Sequence, residues 1–413
     1  MALDLVIRNA RLATAAADAP PVDIGVRDGV IVALAPALAA SGPEHDARGK
    51  MVSSGLIESH FHLDKAMIVD RVPVQPDRMV RDHMERTASI KHTFTAEDIY
   101  TRAQATLEQC LLHGVTHMRT QIEVDPNVGL LGFEAIEQLR KDYAWAIDLQ
   151  SCVFLQEGWT DVPGADENLV ACLDRGATVV GGGIRYDRDG PAQIRRVFDL
   201  AQQYDIDVDF HLDGGYEIDD MDYPQVCEIT DRIGWQGRVA FGHGSKLSCL
   251  PVREQAAIGR RLAASGVSLA VLPATDLYNG GRHMEHSVLR GVTDANTLIE
   301  NGANCTISTN NVLNPFTPYG DCSLTRIVNL YAHTVQRYGQ HDLRVCFEMI
   351  TGRAAEALRI DDYGLEVGKA ADLVVWNAAT PGDIIAKCAL PLAGFKRGRR
   401  LFTRALPELE RAA

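Results

Sequence analysis

Eight short apolar runs with strand character recur through the middle of the chain, and helix-like segments separate them. Few folds accommodate that order. The runs fall at Met51 to His60, Val115 to Val124, Asp148 to Gln156, Ala177 to Tyr186, Asp207 to Asp213, Arg238 to His243, Val267 to Ala274 and Asn304 to Asn310. Between them Ala96 to His113, Phe133 to Tyr143, Glu167 to Arg175, Ala192 to Tyr204, Pro224 to Ile233, Arg253 to Ser265 and Ala295 to Asn301 space their apolar residues as amphipathic helices do. Such alternation predicts an α/β chain whose parallel strands close into a (β/α)8 TIM barrel with the helices outside. The weakly patterned pieces Asp70 to His92 and Asn279 to Val292 follow the first and seventh runs, where long loops would cover a barrel mouth.

The two ends of the chain read differently. Asp4 to Arg8, Val22 to Val26 and Val30 to Ala35 are short strand-like runs, and Asp28-Gly29 is a hairpin-turn pair. Matching runs return at Leu373 to Trp376, around Ala393 and at Arg400 to Thr403. A small β-sandwich assembled from residues 1–50 and 362–413 is therefore expected beside a barrel over residues 51–361.

With 413 residues the chain is long enough for both. Its formal charge of −14 would repel phosphates, which excludes nucleic acid and anionic membrane surfaces as partners and suits a small neutral or cationic molecule. Nine cysteines without a Cys-x-x-Cys pair fit a reducing compartment. The start lacks the pattern of a signal peptide and no apolar run is long enough for a bilayer, so a cytoplasmic protein is expected. A homo-oligomer is compatible with this composition.

Groups that act in a parallel barrel sit at the C-terminal ends of its strands. Those ends carry His60, His62 and Lys65; Gln121 and Glu123; Gln156 and Glu157; His211 and Asp213; His243; Asp276; and Asn310 and Asn311. His60 and His62 share a face because strand side chains alternate. Together with His211 they offer three neutral nitrogens and leave room for water and substrate, the form of a catalytic metal site. One divalent ion is expected there. Zinc comes first, with iron and manganese as alternatives that imidazole also serves. Such an ion lowers the pKa of water from about 15.7 towards about 7, so hydrolysis is the natural chemistry. Gln156, with a donor and an acceptor, suits an amide-like ring edge. Asp276 is balanced between turn former and specificity residue, and Glu123 between a role in the site and a pair with Arg119 or Arg185. His83, His92, His113, His117, His283, His286, His333 and His341 read as surface groups.

The combination of His60-Phe61-His62-Leu63-Asp64-Lys65, Phe154-Leu155-Gln156-Glu157-Gly158, Phe210-His211-Leu212-Asp213, Gly242-His243, Asn310-Asn311-Val312-Leu313-Asn314-Pro315 and Gly368 to Trp376 resembles the amidohydrolase superfamily, in its cytosine deaminase-like branch. The resemblance covers nearly the whole chain. It implies a distorted barrel with one divalent metal on His60, His62 and His211, contact between Gln156 and a heterocycle, and His243 polarising the water or the forming oxyanion. It also implies that Lys65 works near the substrate. The activity implied is hydrolysis of a non-peptide carbon–nitrogen bond in a small nitrogen heterocycle or cyclic amide. The alternatives are a cytosine-type deaminase and a pocket that binds ligand without turning it over.

Three departures qualify the resemblance. The family ends strand eight with an aspartate that ligates the metal and takes the proton of its water, whereas this chain has Asn310, and an amide is too weakly basic for that task. Asp213 is the first candidate for a replacement base, since period two places it on the face of His211; Glu58, Glu123 and His243 follow. Cytosine deaminases carry a glutamate three residues beyond the histidine matching His211, where this chain has Gly214. Finally, Ala177 to Gly190 contains no lysine to carry a bridging carbamate, so one metal is expected rather than two.

Overall fold

The computed structural model describes residues 2–16, 18–39, 41–73, 83–282 and 284–410. His283 and residues 74–82 of the expected loop over Asp70 to His92 lie outside the described residues. Eight strands, Leu56–Phe61, Val115–Glu123, Asp148–Phe154, Val179–Val180, Asp207–Leu212, Val239–His243, Val267–Val271 and Cys305–Ile307, pair in sequence order, each parallel to the next. A bridge between Phe61 and Asn310, with the His62 amide donating to the Asn310 carbonyl at 2.8 Å, brings the last strand back to the first. The result is the distorted (β/α)8 barrel. Every residue of the first, second and seventh strands is buried, as expected of parallel strands covered on both sides.

The run over Met51 to His60 is two strands rather than one. Met51–Ser54 pairs antiparallel with Leu373–Trp376 in the terminal sheet, and only after Gly55 does the chain enter the barrel. A Cβ on Gly55 would stand 2.1 Å from the Thr116 hydroxyl, so the crossing between the two sheets admits only glycine there. The fourth strand is cut to two residues, because Gly181-Gly182-Gly183 leads into a 3-10 turn over Ile184–Tyr186.

The second sheet gathers both chain ends in the order Arg399–Thr403, Pro391–Lys396, Leu373–Trp376, Met51–Ser54, Leu5–Leu12, Val22–Arg27 and Val30–Ala35, with Glu44–Asp46 also on Leu5–Leu12. Leu5–Leu12 joins its two halves: residues near its start pair with Val22–Arg27 and Glu44–Asp46, and Arg11 and Leu12 pair with Met51–Ser54. Asp28 and Gly29 both take positive φ, 50° and 76°, the two-residue hairpin expected of that pair.

The expected helices stand at Ala96–Leu112, Leu131–Asp142, Ala165–Asp174, Gly190–Tyr204, Tyr223–Ile233, Val252–Ser265 and Ala295–Glu300. Six further helices among the described residues were not expected: His83–Lys91, inside the segment read as a loop, Pro273–Asn279 after the seventh strand, and Leu324–Thr334, Gln340–Glu348, Gly352–Ala357 and Pro381–Ala386 beyond the eighth. No helix among the described residues is long and apolar enough to cross a membrane.

Candidate active site

At the C-terminal ends of the strands a cavity of about 350 Å³ opens, and His62, His211, His243, Lys65, Gln156, Asp276, Asn310 and Asn311 all line it. Three imidazoles converge at its floor. His211 Nε2 lies 3.1 Å from His60 Nε2 and 3.0 Å from His62 Nε2. Nitrogens held about 2.0–2.1 Å from one ion stand roughly 3 Å apart, so the spacing matches a shared cation. Burial, with the charges of Lys65 and the neighbouring imidazoles, holds His62 well below the usual histidine range; burial, with His60, His243 and Lys65, does the same to His211. Both are therefore neutral donors at pH 7. Burial also lowers His60, and Asp209 opposes that shift.

Asp209 Oδ1 lies 3.1 Å from His60 Nδ1, which fixes the proton on that nitrogen and turns the Nε2 lone pair inward. Arg119 holds the other Asp209 oxygen at 3.3 Å. Asp209 precedes His211 by two residues, so alternation along one strand places both on the same face. Gly242 makes room for the arrangement, since a Cβ there would come within 2.7 Å of the His60 ring. The donor set thus fits one divalent ion held by His60, His62 and His211. Asn310 adds a buried Oδ1 with no hydrogen-bond partner among the described residues; its amide nitrogen is 3.2 Å from Thr275 Oγ1.

His243 stands over this floor, with ring centroids 6.3 Å from His60 and 5.8 Å from His211. Its Nδ1 is 2.8 Å from Asp276 Oδ1. Asp276 belongs to the helix Pro273–Asn279 and is neither a turn former nor a solvated loop residue; it orients an imidazole. Both residues bracketing the pocket from above and beside take strained backbones, φ 80° at His243 and 64° at Asn310. Asn311 is tied down, its Oδ1 accepting from Asn314 Nδ2 at 2.7 Å.

Lys65 Nζ lies 2.5 Å from Glu123 Oε1 and 3.4 Å from Gln156 Oε1, and 4.2 Å from the centre of the Phe316 ring. Glu123 therefore pairs with Lys65 and with Lys91 at 2.7 Å, rather than with Arg119 or Arg185. Burial pushes its carboxyl up, and the two ammonium groups more than reverse that, leaving it at about 2.

Asp213 is not brought to the pocket. The strand ends at Leu212, Asp213 turns to φ 50°, and the alternation that would have kept it beside His211 stops there. Its oxygens accept the amides of Asp222 at 2.8 Å and Tyr223 at 3.0 Å, at the start of the helix Tyr223–Ile233. Glu58 is likewise withdrawn: its carboxylate accepts from Ser308 Oγ, the Thr309 amide and Thr309 Oγ1, tying the first strand to the eighth.

Three residues that pattern did not single out also line the cavity. His83, expected at the surface, is buried between Tyr278 and Phe316 at ring separations of 5.7 and 5.9 Å, and burial followed by the charges of Arg282 and Arg86 lowers it to about 4. Arg282 stacks on Tyr278. Glu217 enters from the loop after the fifth strand, six residues beyond His211, and lines the cavity. The signal was only a glutamate just past Gly214-Gly215-Tyr216, in a loop where spacing marks no side chain.

A second cluster, His117, Asp148 and Asp372, has the composition of a metal site but holds a lysine. Lys396 Nζ lies 2.7 Å from Asp148, 2.6 Å from Asp372 and 3.1 Å from the Thr116 carbonyl.

Known proteins share this architecture. Residues 143–388 match the model of the amidohydrolase family. The N-isopropylammelide isopropyl amidohydrolase of a Pseudomonas species is 26% identical over 96% of this chain and 96% of its own length. The pterin deaminase of Rhizobium rhizogenes is 24% identical over 94% and 89%. The crystal structure of 5-methylcytosine deaminase from Klebsiella pneumoniae liganded with 5-fluorocytosine superposes with a TM-score of 0.92 at 27% identity, covering 98% of this chain and 99% of that one. With a family match over more than half its length and a pocket floored by three converging imidazoles, the chain belongs to the amidohydrolase family, hydrolases of carbon–nitrogen bonds other than peptide bonds.

Proposed function

We propose that the chain removes an exocyclic amino or alkylamino group from a small aromatic nitrogen heterocycle, with water as the nucleophile and ammonia or an amine as the product. The observation that carries this reading is that His62 and His211, with His60 buried behind them, share one pocket with Gln156, Lys65 and Glu217. The named activities of the similar proteins, an ammelide amidohydrolase, a pterin deaminase and a 5-methylcytosine deaminase, support the same class of bond.

His60, His62 and His211 would hold one divalent ion, with zinc the first expectation; when bound it supplies Lewis acidity that makes water a nucleophile at neutral pH. The remaining steps belong to side chains. Because Asp276 accepts the Nδ1 proton of His243, the Nε2 lone pair faces the pocket and can take the proton of the attacking water. This role passes to His243 because Asn310 cannot bind a proton at pH 7. Gln156 presents both a donor and an acceptor to the ring edge. Lys65 or Glu217, both of which line the cavity, would supply the proton needed by the departing nitrogen. The new carbon–oxygen bond replaces the carbon–nitrogen bond, and the leaving nitrogen departs with the proton it gains.

A panel of aminopyrimidines, alkylamino-triazines and pterins, assayed for ammonia or amine release, tests the proposal. At least one class should be turned over by protein carrying about one divalent ion per chain, and His60→Ala/His62→Ala should lose both ion and turnover. Fully loaded protein that releases nitrogen from no member of the panel would sink it. A second reading, ligand binding without turnover, is favoured by Asn310 alone; a gain of hydrolysis in Asn310→Asp from an inactive parent would establish it.

A further inference from the structure

We infer that Lys91, which lies behind the pocket wall, is a positioning residue for Lys65 and acts through Glu123. For its kinetic arm the inference rests on the hydrolytic reading above.

One carboxylate carries two ammonium groups. Glu123 Oε1 takes Lys65 Nζ at 2.5 Å, and Oε2 takes Lys91 Nζ at 2.7 Å. Lys91 also reaches Asp125 Oδ2 at 2.9 Å and Glu157 Oε1 at 2.5 Å. An ammonium has three protons, so three carboxylates saturate Lys91 and leave it nothing to offer a substrate. Lys65 differs. It has one carboxylate, a long contact to Gln156 at 3.4 Å and the face of Phe316, and it lines the cavity, whereas Lys91 does not.

The other charges are fixed from behind. The Glu157 amide donates to Asp125 Oδ1 at 2.8 Å, and Asn127 donates to both Glu157 oxygens. Asp64 accepts the Glu123 amide at 2.8 Å, and Arg102 grips the Asp64 carbonyl. The side chains of Lys65 and Lys91 are each only 2% exposed. A buried cluster of this kind confers little stability over well-packed apolar residues, so stability alone does not account for it. The use available here is geometric: with Oε2 pinned, Glu123 cannot rotate, and Oε1 holds Lys65 Nζ at the substrate.

The same residue ties down the helix His83–Lys91, whose first residue lines the pocket mouth. Without Lys91, Glu123, Asp125 and Glu157 would lose the ammonium they share, and Glu123, repelled by the other two, would turn and carry Lys65 Nζ with it.

The test is Lys91→Met beside Lys91→Arg, with Lys91→Gln, which keeps a donor without the charge, standing in should the methionine variant not fold. For Lys91→Met we expect kcat about 100-fold down with KM within about threefold, and for Lys91→Arg recovery to within about tenfold of the parent. The crystal structure of Lys91→Met should show Glu123 rotated and Lys65 Nζ displaced from Gln156 and the Phe316 face. A folded variant with the parent's kcat, or with Lys65, Glu123 and Gln156 unmoved, overturns the inference. A parent that turns over no heterocycle removes the hydrolytic reading instead, and the position of Lys65 Nζ in the variant crystal still decides this one.

Discussion

Asn310 sets the residue-scale chemistry. Replacing a carboxylate by an amide at the end of strand eight removes a negative ligand and a base together, and each loss has its own test. Asn310→Asp should hold the ion more tightly, by about 10–100-fold, read as slower ion loss to a chelator followed by elemental analysis. If His243 has taken over the proton, Asp276→Asn should lower kcat by about 10²–10⁴-fold with the ion content unchanged, because an asparagine can donate to Nδ1 and leave the proton on the wrong nitrogen. A variant within threefold of the parent would remove His243 from that role. Both residues were visible in the sequence as polar groups at strand ends. Their partnership was not, since 33 residues separate His243 from Asp276 and only the packing of a short helix joins them.

At the scale of elements, what could be read followed from periodicity and what could not followed from its absence. The seven expected helices have apolar stripes long enough to register. His83–Lys91 escaped because its buried face consists largely of His83, Thr87 and Lys91, polar side chains that pattern assigns to solvent, and Pro273–Asn279 spans only seven residues. Alternation holds for Asp209, which pattern did not single out, and fails for Asp213 one residue past the strand, where the backbone leaves the β region. Asp213 serves the helix it caps. Burial pushes its carboxyl up to about 6, above the two amide bonds that pull the other way. The folded protein therefore binds that proton more tightly than the unfolded chain, and stability falls as pH rises from about 4 to about 6. Asp213→Asn should lose this part of the pH dependence, seen in urea unfolding at pH 4 and pH 7, and Asp213→Ala should cost about 1 kcal/mol as a lost cap. Since the carboxylate stays out of the pocket, kcat of the asparagine variant should remain within about threefold of the parent; a hundredfold loss would return Asp213 to the list of bases.

In the whole molecule, barrel and terminal sheet depend on a junction that composition alone would mistake for a second metal centre. Met51–Ser54 belongs to the terminal sheet and Leu56–Phe61 to the barrel, so one strand-like run of sequence spans two layers, and no local pattern marks the division except Gly55. Nearby, Lys396 of the terminal sheet reaches Asp148 at the start of the third barrel strand, Asp372 and the Thr116 carbonyl. Burial raises the Asp148 carboxyl and the Lys396 ammonium pulls it below the usual range, while burial lowers the neighbouring His117 to about 4. Removing the lysine charge would leave the buried Asp372 without its ammonium beside a half-exposed, solvent-screened Asp148, so Lys396→Met should cost about 1–3 kcal/mol at pH 7. The sign with pH follows from the depressed carboxyl. Its contribution is present above the unfolded value and is lost as pH falls through the folded one, so the gap between parent and variant should narrow as the medium is made acid. Urea midpoints of the two proteins at pH 7 and at about pH 2.5, below the unfolded carboxylate value, measure that gap, and a difference that is constant or widens in acid would mean that Lys396 acts through packing rather than charge.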